Sequence, residues 1–350
     1  MWLWVPLTRL AIVTKIVLQR FKYLVLLILG VAAFAACNLV DEDLRDCETD
    51  YHIEYELRLV TDLSVELRTE LSLDTDVSVA ESLESYFKDI FSDHAKDVDL
   101  SFYDVQGDYV RLHHEAHIMN ASQSSYTLYI PVRQYMHLAV ANLKDNTFLS
   151  LKEDEHCPTS WISQQVRDTV PSQRAGLFTA RLPMDVKENV DQEFDVRLYM
   201  ANCAATLVVD TLDSHIKDMK VFMTGFATGF DIRDSLYRFD YTPVVIGDPV
   251  PMSKPGYQSF ASVSFPSRDN VETKAESYSS SLWQMTIYTT ISDGTVTKTV
   301  LGIREPIPAG HVRVIQAKAQ RNGQVAPGDP TIGVSVTMDW ENGLEGEIPL

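Results

Sequence analysis

From about residue 50 onward the chain alternates apolar and polar positions with a period of two, the pattern of half-buried strands. Ile53, Tyr55, Leu57 and Leu59 alternate with His52, Glu54, Glu56 and Arg58. Val110, Leu112, Ala116 and Ile118 alternate with Arg111, His113, Glu115 and His117. The rhythm returns at Trp283, Met285, Ile287, Thr289 and Ile291, then across 312–317 and 332–338. A further strand is expected over Leu198–Val209, with Cys203 inside it. Successive side chains of a strand point to opposite faces, so each segment offers one face to a core and one to solvent. The spacing and turn signals predict antiparallel sandwiches rather than βαβ units.

One stretch keeps helical time instead. Val79, Leu83, Phe87, Ile90 and Phe91 fall on one face, Glu81, Glu84, Lys88 and Asp89 face away, and Ser78 with Glu81 forms a capping box. A short helix over about 78–92, laid against a sheet, follows. Asp99–Val105 and Asp108–Leu112 flank Gln106-Gly107. That predicts a hairpin in which Gly107 supplies a positive φ. The Pro- and Gly-rich run at 243–256 and the polar stretch at 267–281 read as long loops. Lys187–Glu193 is polar and separates two strand-rich blocks. The expected organisation is therefore an N-terminal sandwich over 51–187, a C-terminal one over 188–342 and a tail at 343–350.

The first forty residues carry a different signal. After Lys15, Arg20 and Lys22 come 14 apolar or small residues, Tyr23–Ala36, and then Cys37. A basic flank, an apolar run and small residues before a cut make a secretory signal peptide, expected here over 1–36. The run falls short of the ~20 residues a helix needs to span a bilayer. Phe34-Ala35-Ala36-Cys37 resembles a bacterial lipobox. That resemblance implies acylation of Cys37 and cleavage before it. Acyl chains stabilise membrane attachment by about 0.8 kcal/mol per buried CH₂, so several together anchor a protein durably. Behind the anchor lies an acidic tether over 37–50. Its Asp41-Glu42-Asp43 resembles the surface-export signal of some Gram-negative lipoproteins.

Charge narrows the partners. The formal net charge is −19, and because 1–36 holds four basic residues and no acid, the rest carries 26 basic against 49 acidic residues. A body that acidic repels phosphate backbones and argues against nucleic acid. Four cysteines do not make a disulfide scaffold, and no CxxC pair is present. With Cys37 acylated, Cys47, Cys157 and Cys203 remain. Three single pairings and a fully reduced state are open to them; with the Cys203 thiol read as buried in its strand, Cys47–Cys157 is the favoured pairing, since both have polar neighbours in the same half of the chain.

Candidate chemistry is sparse. His113, Glu115 and His117 would share one face of a strand, and such a trio could hold zinc; the plainer reading is an exposed strand face beside the hairpin. The spacing is not HExxH, and no GxSxG, P-loop or GxGxxG occurs. No enzymatic activity and no cofactor are expected. A lipid-anchored glycan-binding protein of a polysaccharide uptake system is the alternative. Such a protein would cluster exposed aromatics, whereas Trp161, Trp283 and Trp340 are scattered and read as core.

Six features bear a likeness that no one of them carries alone. They are Cys37, the acidic stretch closing on Asp46-Cys47, Leu100–Tyr109, Arg197–Ala205, Gly225–Ser235 and Gly333–Trp340. In that order and spacing the chain resembles the FimB-type anchor lipoproteins of type V fimbriae. The resemblance implies an all-β fold of two transthyretin-like β-sandwich domains in tandem. It also implies an outer-membrane, surface-exposed location and a role in anchoring and terminating a fimbrium at its base. The implied partners are the lipid bilayer, through acylated Cys37, and the first shaft subunit, through strand complementation.

Overall fold

The computed structural model describes residues 50–60, 77–91, 95–118, 125–152, 155–188, 190, 192–212, 215–269 and 281–339. Cys37, Cys47, the tail and Trp340 lie outside them, as does most of the expected 267–281 loop. The fold is all-β, with one α-helix among the described residues. In chain order the first half supplies β1 (Asp50–Val60), α1 (Val77–Ile90), β2 (Asp97–Asp104), β3 (Arg111–Ile118), β4 (Ser125–Pro131), β5 (Gln134–Ala141), β6 (Leu149–Lys152), β7 (Trp161–Gln164), β8 (Thr169–Val170), β9 (Phe178–Asp185) and β10 (Gln192–Met200). The second supplies β11 (Cys203–Asp210), β12 (Ile216–Thr224), β13 (Gly229–Asp231), β14 (Leu236–Arg238), β15 (Val244–Ile246), β16 (Asp248–Val250), β17 (Tyr257–Ser264), β18 (Trp283–Ile291), β19 (Val296–Ile303), β20 (Val312–Ala319), β21 (Val325–Pro327) and β22 (Gly333–Asp339).

Seven strands form the first sheet in the order β3-β2-β5-β9-β10-β1-β4. Most neighbours are antiparallel, but β1 runs parallel to β10, from Ile53 opposite Gln192 to Val60 opposite Tyr199. Apolar positions of α1 recur every fourth residue, and Val79, Leu83 and Phe87 are all buried. They share one core with Leu100 and Phe102 of β2, Ala139 of β5, and Val263 and Val312 of the second half. Each fully buried side chain of this size contributes roughly 1.5–3 kcal/mol. A four-stranded sheet, β14-β13-β7-β6, encloses a second core, where Tyr103, Leu138 and Val140 of the first sheet meet Ile162 and Phe230.

The second half, joined by β8 from the first, stacks a five-stranded sheet, β16-β17-β11-β20-β21, and a six-stranded one, β22-β19-β18-β12-β15-β8. A third core lies between them, with Leu207, Val221, Trp283, Met285 and Ile287 buried in it. β11 reads Cys-Ala-Ala-Thr-Leu-Val-Val because both of its faces are covered. Ala204 and Val208 join the first core, and Cys203, Ala205, Leu207 and Val209 the third.

Four features depart from the sequence pattern. The strand expected over Leu198–Val209 is two strands in two sheets, broken at Ala201-Asn202. β10, expected to open the second domain, is hydrogen-bonded into the first sheet, and its Val196, Leu198 and Met200 complete the first core. The Pro- and Gly-rich run contains two short strands, β15 and β16, joined at Gly247, where the chain crosses between sheets.

The hairpin between β2 and β3 forms as expected, but Gly107 does not take the left-handed conformation. Asp108 and Tyr109 do, each at φ 58°. Gly107 is needed for space: an added Cβ would lie 2.7 Å from the Asp104 carboxylate. That carboxylate accepts from Arg133 at 2.7 Å and from the Gln106 N–H at 2.8 Å, so it has little freedom to move. Gly107→Ala is expected to cost about 1–3 kcal/mol. Arg133→Ala alongside it should recover part of that loss in urea unfolding. An unchanged midpoint in Gly107→Ala would remove the close-approach explanation.

His137 of β5 is wholly buried, stacked 4.3 Å from the Phe102 ring, and its Nδ1 donates to the Ser101 carbonyl at 3.1 Å. Burial pulls its pKa down from 6.5 to about 4, against the weaker opposing effect of that hydrogen bond. The neutral ring therefore contributes stability that is fully present above the unfolded value of about 6.5 and is lost as pH falls towards 4. The loss across that window approaches ~3 kcal/mol for this single group. Stability measured at about pH 7 and about pH 4.5 should diverge less in His137→Leu than in the native chain. Equal divergence in both would assign the acid sensitivity elsewhere.

Candidate functional site

The sheets end at edges, and an edge strand offers unpaired N–H and C=O groups to another chain. β3 and β4 border the first sheet, β16 and β21 the five-stranded sheet, and β22 and β8 the six-stranded sheet. Their chemistry differs.

β3 carries the histidine trio. His113 Nε2 lies 2.7 Å from Glu115 Oε1, and its ring sits 5.7 Å from Phe102. His114, on the opposite face, reaches Asp99 Oδ2 at 2.8 Å. The backbone of His117 pairs with Val98, and its side chain lies outside the described residues. Among the described residues no three His, Cys, Asp or Glu side chains gather as metal ligands. His113 and Glu115 are thus brought together as a hydrogen-bonded pair on a polar edge.

Cys157 is buried in the turn after β6, and its N–H donates to the Tyr109 carbonyl at 3.0 Å. Burial pushes its thiol up to about 11. Cys203, wholly buried at the start of β11, is pushed higher still by desolvation, and its Sγ lies 3.5 Å from the Phe265 carbonyl. A thiol held protonated at neutral pH is a poor nucleophile. Cys157 and Cys203 form no disulfide with each other, and Cys47, the expected partner of Cys157, lies outside the described residues.

Glycan stacking requires an open aromatic face. Trp283 is buried, its Nε1 donating to the Glu305 carbonyl at 2.8 Å. Trp161 is half-buried, and the Lys152 ammonium and Arg238 guanidinium sit over its ring at 4.7 and 4.4 Å. Those cations occupy the ring surface that a sugar would use.

A cavity of about 600 Å³ opens beside β12. β18 pairs with β12 along nearly its whole length, whereas β15 pairs with it only at Phe222 and Met223. Past that point the chain leaves for the five-stranded sheet, and the Gly247 N–H donates to the Val221 carbonyl at 2.8 Å. Below Val221 a cleft separates β12 from β16 and β17. Its floor is Met219, Val221 and Phe260, all part of the third core, and its rim carries Lys217, Lys220 and Gln258. The cleft depends on where β15 stops, which no local pattern records.

The family model of the fimbrillin-A associated anchor proteins Mfa1 and Mfa2 matches residues 46–257, and the chain belongs to that family. That membership places the chain among cell-surface fimbrial proteins. No curated protein matches the chain. Among solved structures, a candidate adhesin from Bacteroides thetaiotaomicron is 11% identical, with a TM-score of 0.50, covering 83% of this chain and 97% of that one. The fimbrial anchor protein Mfa2 from Porphyromonas gingivalis is 9% identical, with a TM-score of 0.47, covering 83% and 98%. A candidate polysaccharide-binding protein from B. thetaiotaomicron is 11% identical, with a TM-score of 0.46, covering 83% and 98%. At these identities the first likeness concerns the fold alone.

Proposed function

We propose that this protein is an outer-membrane lipoprotein, acylated at Cys37, that fixes the base of a fimbrium to the cell surface and ends the polymer there. Membership of the anchor family carries the reading. The lipobox-like Phe34–Cys37 supplies the membrane attachment, and no described helix is long and apolar enough to cross a bilayer. The acidic tether behind Cys37 directs the protein outward. At its other end the anchor accepts an extended strand of the first shaft subunit. Ladder hydrogen bonds supply affinity, and pockets for alternate side chains supply register.

Acylation is tested by growing cells with an alkyne-bearing fatty acid and coupling a fluorophore to the extracted protein. The native chain is expected to be labelled and Cys37→Ala to be unlabelled. Label retained in Cys37→Ala would remove the lipid anchor from this reading. A Cys47–Cys157 disulfide belongs to the same exported state. Alkylation of denatured protein before and after reduction would protect both cysteines if it forms, and modify both without reduction if it does not.

A further inference from the structure

We propose that the cleft beside the lower half of β12 is the place where the partner subunit's strand docks, adding to the six-stranded sheet next to β12. The inference rests on the strand-accepting reading above and gives it an address. Three observations converge.

The first concerns the backbone. In a strand, the N–H and C=O of one residue point to the same side, and the side alternates at each step. The Val221 carbonyl accepts from Gly247, so Val221 points its backbone away from β18, and so does Met219 two residues earlier. Among the described residues β15 does not extend far enough to pair with Met219. A strand adding there would continue the line of β15, about 4.8 Å from β12, over about five residues or ~16 Å.

The second concerns the floor. Met219 and Val221 are only 5% and 1% exposed, and with Phe260 they belong to the third core. An incoming strand with apolar side chains at alternate positions would extend that core. A small apolar ligand could fill the cavity, but it would leave the ladder groups of Met219 without donors and acceptors. That is costly once water is displaced.

The third concerns charge. In a chain of net charge −19, the rim carries the exposed Lys217 and Lys220 with one acid, Asp218, between them. Neither ammonium has an ion-pair partner among the described residues. The rim therefore favours a strand whose outward positions are acidic. The other edges fit less well, since β3 presents His113, His114 and Glu115 and β16 holds Pro249.

The test places a photo-crosslinking phenylalanine analogue at Gln258, with Arg321 in the turn after β20 as control, in the full-length lipoprotein of fimbriate cells. Adducts from Gln258 are expected to map to a single segment of the shaft subunit with alternating apolar residues, and Arg321 should give none. Separately, the double variant Lys217→Glu, Lys220→Glu in detergent is expected to bind purified shaft subunit about ten-fold more weakly than the native chain. If the shaft subunit copurifies but Gln258 yields no adduct, or yields adducts with this chain or a second copy of it, the docking address is wrong and the anchor reading stands. If no form of the protein retains the shaft subunit, both fall together.

Discussion

Cells carrying Cys37→Ala are expected to assemble fimbriae and then lose them to the medium. After gentle shearing, most fimbrial antigen should move from the cell pellet to the supernatant, and electron microscopy should show detached filaments of native appearance. The physical basis is the difference between several acyl chains and none. A single chain gives only marginal, reversible membrane binding, with an association constant on the order of 10⁴ M⁻¹, and each further buried CH₂ adds about 0.8 kcal/mol. Without acylation the acidic body gains little from an anionic surface in its place. Fimbriae that stay attached in the variant would show that Cys37 is not the tether. Cells with no fimbriae at all would place the protein earlier, in assembly.

The second large effect is expected at Asn202, the residue at the joint between β10 and β11. Its side chain is wholly buried. Nδ2 donates to Gln173 Oε1 at 2.9 Å and to the Ala175 carbonyl at 3.0 Å, while Oδ1 accepts from the Leu177 N–H at 3.1 Å. One amide thus satisfies the segment entering β9 and holds it where the chain passes from one sheet to the next. Asn202→Leu keeps the approximate volume but leaves Gln173 Oε1 and the Leu177 N–H without partners, while the Ala175 carbonyl keeps its bond from Asn146. At ~1–3 kcal/mol per orphaned group, with some relaxation, the expected loss is about 2–4 kcal/mol. Asn142 and Asn146 brace the same segment through Gly176, Ala175 and Arg174. Asn202→Leu combined with Asn142→Leu should therefore be non-additive in urea unfolding. A loss below about 1 kcal/mol for Asn202→Leu would mean that water replaces the amide.

These two positions mark what could and could not be read beforehand. Alternation in segments such as Trp283–Ile291 and Val312–Ala317 determines strands and their buried faces, because period two leaves few other structures open. The helix showed itself equally well through Val79, Leu83 and Phe87. Asn202 did not, since it sits inside an apolar run that reads as one strand. Only the three-dimensional course of the chain turns it into a joint. Gly107 misled for a related reason: a glycine in a turn has two uses, backbone freedom and absence of bulk, and sequence does not say which applies. The histidine pattern on β3 was visible, with Glu115 beside His113 on the same strand, but the partner of His114, Asp99, comes from β2 across the sheet. The cleft beside β12 was invisible because it is defined by a missing stretch of pairing rather than by any residue.

The parallel pairing of β1 with β10 has a mechanical meaning. β1 begins at Asp50, the first described residue after the acidic tether, and β10 ends at Met200, where the chain leaves for the second half. Because the two strands run the same way, a pull on Asp50 and an opposing pull on Met200 act at opposite ends of their shared ladder. The eight register pairs from Ile53–Gln192 to Val60–Tyr199 are then loaded in shear. In shear all the hydrogen bonds of a ladder share the force and must yield together, whereas an antiparallel pair drawn apart from one end opens like a zipper, one bond at a time. In the anchoring role proposed above, a filament dragged by flowing liquid would load this ladder along the direction in which it yields least.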